Sequence, residues 1–233
     1  MIDFHTHVLP GMDDGSQSLE QSIAMLQEEA KQGVKLVVAT PHFYPEDESV
    51  ESFLKRRDQA EAALRKEMEK HEGLPQVVVG AEVYYFTGIS DSDILQKLTI
   101  GDTRYVMIEP PLTPWSERVF RELEGVVFQQ GMVPIVAHID RYVRPFRTYK
   151  IPERLAEMSV LVQASGEFFL TKRTKNMALR MLKKGQIHLL GSDAHNMENR
   201  VPNLGPAAEL IRSKLGEAVL DAISQSSMEV LKK

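Results

Sequence analysis

Five of the seven histidines, His5, His7, His42, His138 and His195, stand at the exits of short apolar runs. Three carboxylates occupy the same kind of position: Glu82 behind Gln76–Ala81, Glu109 behind Arg104–Ile108, and Asp193 behind Gln186–Gly191. A carboxylate that follows four or five apolar strand residues is costly unless a cation pairs with it. A metal cluster supplies that cation. Imidazole and carboxylate without thiolate suit Mn, Fe or Zn rather than Ca or a structural zinc. The chain has no cysteine, which removes disulfides, thiolate metal sites and any phosphatase mechanism with a cysteine nucleophile. A single histidine behind a strand is commonly a satisfied core residue, so the argument rests on the set. The other two act as internal controls. His71 falls in a charged helical stretch and is expected to be solvated. His188 falls inside an apolar run, where packing is the expected role.

The loop Pro10-Gly11-Met12-Asp13-Asp14-Gly15-Ser16, directly behind His7, adds two carboxylates. Asp, Gly and Ser are also turn and cap residues, so from this feature alone Asp14 reads equally as a turn residue or a ligand. The carboxylates of Asp14, Glu82, Glu109 and Asp193 balance two divalent ions and leave the pocket positive with three. A positive pocket fits a phosphate ester, and water on such ions ionises near neutral pH. Arg141 follows His138 closely and Arg200 follows His195. A guanidinium matches phosphate oxygens bidentately, although surface arginines in loops look the same in sequence.

These residues need a scaffold that makes strand ends converge. Apolar runs at Met1–Phe4, Lys35–Thr40, Gln76–Ala81, Arg104–Ile108, Val133–Ala137, Val160–Ala164 and Gln186–Gly191 read as strands. Between and after them, helical patterns cover Ser18–Gln32, Ser49–His71, Ser116–Gln130, Pro152–Met158, Lys175–Lys184 and Pro206–Ser224. In the first helix Leu19, Ile23, Leu26 and Ala30 share a face, Ser18 with Gln21 makes a capping box, and Gly33 a stop. Seven strand–helix units in alternation predict a parallel α/β sheet, closed into a single barrel domain over residues 1–233. The C-terminal ends of its strands then form the active face. Only the sixth strand carries no candidate ligand.

Composition excludes some functions. A net charge of −5 with 42% hydrophobic and 26% charged residues is ordinary for a globular chain. There is no Lys/Arg block, so no nucleic-acid partner is expected. No apolar run approaches the roughly 20 residues of a membrane span. The first strand begins at once, leaving no room for a signal peptide, and a cytoplasmic enzyme is expected.

The segments Asp3-Phe4-His5-Thr6-His7, Leu9-Pro10-Gly11-Met12-Asp13-Asp14-Gly15, Ala39-Thr40-Pro41-His42, Gly80-Ala81-Glu82, Ile108-Glu109, Pro134-Ile135-Val136-Ala137-His138 and Ser192-Asp193-Ala194-His195-Asn196 together resemble the PHP superfamily. The set is most similar to its CpsB/YwqE-type bacterial tyrosine-protein phosphatases. The resemblance runs over nearly the whole chain, and the Leu-Pro-Gly-x-Asp-Asp-Gly segment is more specific than the His-x-His pair. It implies a distorted (β/α)7 TIM-like barrel, the PHP fold, with two or three divalent transition ions, manganese first and iron or zinc as alternatives. By resemblance, His5, His7 and Asp193 hold one ion, and Glu82 bridges it to a second held by Glu109 and His138. Asp14, His42 and His195 hold the third, and Arg141 and Arg200 contact phosphate. Two departures stand out. Ile139-Asp140-Arg141 replaces the family's Pro-Glu-Arg, and Gln163-Ala164-Ser165 its Gln-x-Asn. Both bear on substrate preference.

The implied activity is hydrolysis of phosphotyrosine through a metal-bridging hydroxide. The implied substrate is the tail of a bacterial tyrosine kinase, in capsule or exopolysaccharide control. A small-molecule PHP phosphatase, such as one acting on histidinol phosphate, would share the metal site and differ in the pocket wall. Amidohydrolases also begin with His-x-His, but they often need a carbamylated lysine where Glu109 stands. A metal-stabilised scaffold without activity would be expected to have lost ligands, and none is missing.

Overall fold

In the computed structural model, which describes residues 1–145 and 150–232, every strand pairing among the described residues is parallel. Two of the seven expected strands are interrupted. β2 (Leu36–Ala39) breaks at Thr40-Pro41 and resumes as β3 (His42–Phe43), and β4 (Gln76–Val79) breaks at Gly80-Ala81 and resumes as β5 (Glu82–Tyr84). Pro41 has no N–H to give the ladder. A side chain at Gly80 would crowd Ile100, its Cβ lying 3.0 Å from Ile100 Cγ1. The halves stay aligned through Gly80 N–H to Ala39 O (2.8 Å) and Glu82 N–H to Pro41 O (3.0 Å).

β1 (Ile2–Thr6) pairs with β2, and β2 with β4. β3 and β5 continue through β6 (Tyr105–Glu109), β7 (Val133–Val136) and β8 (Leu161–Ser165) to β9 (Leu189–Gly191). Asp193 N–H to His5 O (2.8 Å) and His7 N–H to Ala194 O (2.9 Å) bring the end of β9 back to β1. The result is the expected distorted seven-stranded α/β barrel. Phe4, Val38, Met107, Ile135 and Leu189 form a closed apolar plug inside it. Because that plug fills the N-terminal half, chemistry is confined to the C-terminal mouth.

Helices α1 (Leu19–Lys31), α2 (Val50–Met68) and α3 (Glu117–Gln130) match their sequence patterns to within a few residues. Ser18 caps α1 by accepting from Gln21 N–H at 3.2 Å, and Gly33 takes the left-handed φ of 84° that ends it. α4 (Asp140–Val143) and α6 (Gly166–Leu170) are single turns that no pattern announced, while α5 (Ile151–Leu155) and α7 (Lys175–Lys183) are close to expectation. The last helix differs. It is two helices, α8 (Leu204–Leu215) and α9 (Glu217–Leu231), broken at Gly216, whose φ of 89° is not helical. The break lets α9 turn so that Val230 joins the plug at the barrel base.

Candidate metal centre

The register of β1 against β2 slips between Asp3 and Thr6. A bulge of this kind re-aims side chains: Phe4 stays in the apolar plug, and its neighbour His5 still reaches the mouth. The sequence places His5 behind the first strand; it is within it. His42 and Glu82 open the resumed strands β3 and β5 and are paired in register. Glu109 ends β6. His138 and Asp193 follow β7 and β9 with φ of 28° and 54°. That left-handed backbone costs a non-glycine residue on the order of 1 kcal/mol and is found where surroundings over-determine it. Here Gln163 Oε1 accepts from His138 N–H at 2.6 Å, and His5 O accepts from Asp193 N–H at 2.8 Å.

All nine side chains expected to bind metal are brought into one cluster. Glu82 is its hub: Oε2 lies 3.1 Å from His5 Nε2, 3.4 Å from His7 Nε2 and 3.0 Å from His42 Nδ1, and Oε1 lies 2.7 Å from His138 Nε2. Asp193 Oδ1 lies 3.7 Å from His5 Nε2 and 3.6 Å from His7 Nε2. Asp14 Oδ1 lies 3.3 Å from His195 Nε2 and 3.6 Å from His42 Nε2. Three subsets have ligand atoms mutually within 4.8 Å: His5, His7 and Asp193; His7, Asp14, His42 and His195; and His42, Glu82 and Glu109. The resemblance assigns each of these histidines to one ion. The geometry instead has His7 and His42 each belonging to two subsets. His138 is in none of them but sits 3.3 Å from Glu109 Oε1.

Hydrogen bonds behind the cluster decide which atoms face into it. His7 Nδ1 lies 2.7 Å from Asp13 Oδ2, and His195 Nδ1 lies 2.9 Å from Asp193 O. His5 Nδ1 lies 3.3 Å from Gln163 Oε1. Each of these partners only accepts, so each Nδ1 carries the proton, and the three Nε2 atoms present lone pairs. His5 Nε2 and His7 Nε2 then face one another at 3.1 Å with carboxylates around them. His42 Nδ1 and His195 Nε2 are buried without a hydrogen-bond partner. Acceptors converging on acceptors are a poor arrangement for a dry core and a good one for cations. The donor set fits divalent metal.

Ionisation points the same way. Burial opposes charge on Glu82, but His5 and His138 beside it hold its carboxyl well below the usual range. Asp193 is likewise depressed against burial, chiefly by His5 and His138. Without an ion, burial lowers His7 and His138, but Asp13 and Glu82 respectively more than reverse this and raise each to about 10, so that protons occupy the inward nitrogens where a cation would otherwise sit. His195, buried and next to His7, falls to about 3. The carboxylates are therefore anionic and draw positive charge inward.

The two arginines bracket Asp193. Arg141 donates to Oδ2 at 2.8 Å and Arg200 to Oδ1 at 2.8 Å. Arg141 also reaches Glu109 Oε1 at 3.2 Å, and Arg200 lies 3.6 Å from Asp14 Oδ2. Their side chains are 34% and 35% exposed, so both line the mouth as well as the cluster wall. His71 and His188 lie apart. His71 is half-buried near Glu67. His188, expected within the seventh strand, precedes it and accepts from Val162 N–H through Nδ1 at 3.0 Å; burial lowers its pKa.

Two residues escaped the sequence reading. Asp13 was noted only as a loop carboxylate, yet it orients His7 and accepts from His42 N–H at 2.8 Å. Gln163 lies on the strand without a ligand, yet it touches His5 and His138. The two departures from the family pattern also meet: Ser165 N–H donates to Asp140 Oδ1 at 2.9 Å.

The model of the family "Capsular polysaccharide synthesis, CpsB/CapC" matches residues 1–232. The tyrosine-protein phosphatase CpsB of Streptococcus pneumoniae is 31% identical over 236 residues, covering 93% of this chain and 91% of that protein. The tyrosine-protein phosphatase YwqE of Bacillus subtilis is 27% identical over 241 residues, covering 100% and 92%. A crystal structure from work on YwqE from Bacillus subtilis and CpsB from Streptococcus pneumoniae, described as unique metal-dependent tyrosine phosphatases, aligns with a TM-score of 0.87 at 24% identity. It covers 99% of this chain and 94% of that one, and supports the fold.

Proposed function

The chain belongs to the CpsB/CapC family of capsular polysaccharide synthesis, and from that premise we propose that it is a metal-dependent protein-tyrosine phosphatase. One observation carries the reading. Lone pairs and carboxylates of nine residues converge at the barrel mouth, and two half-exposed arginines flank them. Two or three divalent ions, manganese first with iron or zinc as alternatives, would be held by His5, His7, Asp14, His42, Glu82, Glu109, His138, Asp193 and His195. When bound, such ions neutralise phosphate oxygens and make water acidic enough to attack near neutral pH.

The remaining work falls to the chain itself. Asp13 and Gln163 hold the imidazoles of His7 and His5 in the orientation that binds metal. Arg141 and Arg200 meet the equatorial oxygens of the phosphoryl group as charge develops there. Asp14, 65% exposed, would take up the proton of the attacking water on the carboxylate oxygen not engaged with an ion, with His42 Nε2 3.6 Å away to position it. No dedicated acid is assigned to the leaving group, so an ester whose alcohol departs as a phenolate is favoured.

The names of the relatives support a phosphotyrosine-bearing protein as substrate. We take the tail of a bacterial tyrosine kinase as its source, because a flexible tail can enter an open mouth. The same names disfavour the small-molecule alternative. No described helix is long and apolar enough to cross a membrane. The test is turnover of one peptide carrying phosphotyrosine or phosphoserine, beside histidinol phosphate, with Mn²⁺, Fe²⁺ and Zn²⁺ supplied in turn. Faster hydrolysis of histidinol phosphate would replace this reading with the alternative.

A further inference from the structure

β3 and β5 lie side by side in register, His42 opposite Glu82 and Phe43 opposite Val83. Side chains alternate along a strand. Phe43 and Val83 point away and are fully buried in the main core, Phe43 edge-on to Phe53 with ring centroids 5.1 Å apart. His42 and Glu82 point into the metal centre. One pleat further out come Tyr44, the residue that follows β3, and Tyr84, the last residue of β5, whose ring centroids are 5.7 Å apart. Tyr44 is also 5.3 Å from the His42 ring, tilted by 30°. A continuous aromatic run therefore leads out of the cluster, from His195 to His7 (3.8 Å), to His42 (4.6 Å), to Tyr44 and to Tyr84.

Tyr44 is 37% exposed. It is held by a turn in which its carbonyl accepts from Asp47 N–H (3.0 Å) and Glu48 N–H (3.3 Å). Two residues along a strand span about 6.6 Å. An aryl ring joined through one oxygen to a phosphorus at the centre extends over that same interval. Of six large hydrophobic side chains exposed among the described residues, four lie on loops that follow strand ends: Tyr44, Leu112, Met197 and Val201.

We propose that Tyr44, backed by Tyr84, is the specificity wall of the site, against which the ring of an aryl phosphate packs while its phosphoryl group meets the metal centre. The inference rests on the phosphatase reading above. It adds where an aryl ester is selected in binding, beyond the readier departure of its phenolate: on a face set one pleat above His42, rather than by the ligands or the arginines, which any phosphate monoester engages.

The test separates ring recognition from phosphoryl chemistry by using unreactive phosphonates. Inhibition constants of phenylphosphonate and methylphosphonate are measured for the metal-loaded wild type, Tyr44→Ala and Tyr44→Phe, with metal content determined for each. Wild type should favour phenylphosphonate. Tyr44→Ala should cut that preference roughly 5- to 10-fold, the scale of one lost aromatic contact with its buried area. Tyr44→Phe should keep it, because the face and not the hydroxyl is used. An unchanged preference in Tyr44→Ala at full metal content would overturn the wall and leave the phosphatase reading standing. So would equal weakening of both phosphonates, which marks a structural residue. A metal-loaded wild type that neither hydrolyses an aryl phosphate nor binds either phosphonate would overturn the phosphatase reading and the wall with it.

Discussion

Asp13 Oδ2 accepts from His7 Nδ1 across 2.7 Å and from the His42 backbone N–H across 2.8 Å. One oxygen thus sets the tautomer of a residue on the first strand and the position of a residue at the start of β3. Its partner oxygen accepts from Gly15 N–H at 2.9 Å, which folds the loop that carries Asp14. Outer partners of this kind are commonly worth 10- to 100-fold in metal affinity. Asp13→Ala is expected to weaken metal binding by about that factor, with the loss smaller in Asp13→Asn, which retains an acceptor. Competition against a chromophoric chelator measures it. Wild-type affinity in Asp13→Ala would remove Asp13 from the centre.

Glu82 touches four of the five clustered histidines. Glu82→Ala should therefore release metal and abolish turnover together. His71→Ala should leave both intact, because it lies outside the cluster. His188→Gln should cost on the order of 1 kcal/mol of stability through its bond from Val162 N–H and leave turnover near wild type. Loss of activity in His188→Gln at unchanged stability and metal content would mean that the active face has been drawn in the wrong place.

Much of this centre was legible because an ionisable residue at the end of an apolar run is expensive, and eight such residues at strand ends have one economical explanation. Asp14 needed the resemblance, since nothing local distinguishes a ligand from a turn residue in Asp13-Asp14-Gly15. Asp13 was hidden by the same ambiguity. Gln163 was read only as part of the family's Gln-x-Asn segment, because an uncharged amide in a strand carries no ionic penalty that would point to its role. β3 and β5 have two and three residues, too short for a period to show. The break at Gly216 was overlooked because apolar spacing continues across it, although a glycine with that φ ends one helix and starts another.

Glu29 supplies a prediction away from the metal. It is fully buried on α1, its carboxyl set against that of Asp3 and beside Ser192. Burial first, and then Asp3, push its pKa well above the usual value. A raised carboxyl favours folding fully below its unfolded pKa, near 4.5, and loses that advantage as pH rises through the folded value. The loss runs at up to about 1.4 kcal/mol per pH unit. Glu29→Gln removes the titration, so its melting temperature should gain on wild type steadily from pH 5 to pH 8. Parallel curves over that range would show that Glu29 ionises freely.

With no cysteine in the chain, activity should withstand thiol alkylation. A chelator should abolish it, and added Mn²⁺ should restore it. Elemental analysis of gently purified protein should find two or three transition ions per chain. Less than one equivalent, with no rescue after chelation, would sink the cluster as a catalytic centre.

The arginines allow the sharpest separation of roles. Arg141 and Arg200 grip opposite oxygens of Asp193 at 2.8 Å each, so they can act by holding a metal-binding carboxylate or by meeting substrate. The two roles predict different outcomes. A phosphate contact is made most strongly in the transition state, and loss of one preorganised donor costs on the order of 10²-fold in rate, about 3 kcal/mol. Loss of Asp193's support would instead loosen metal while leaving the metal-saturated enzyme active. We expect Arg141→Ala and Arg200→Ala each to lose about 10²-fold in kcat/KM toward a phosphotyrosine peptide when metal content is matched to wild type. Arg→Lys at either position should recover little, since an ammonium keeps the charge but not the planar fork that can hold Asp193 and a phosphoryl oxygen at once. Steady-state kinetics with metal determined on the same samples decides the matter. Wild-type kcat/KM at saturating metal, in both alanine variants, would reduce the arginines to supports for Asp193 and leave the phosphoryl group to the ions alone.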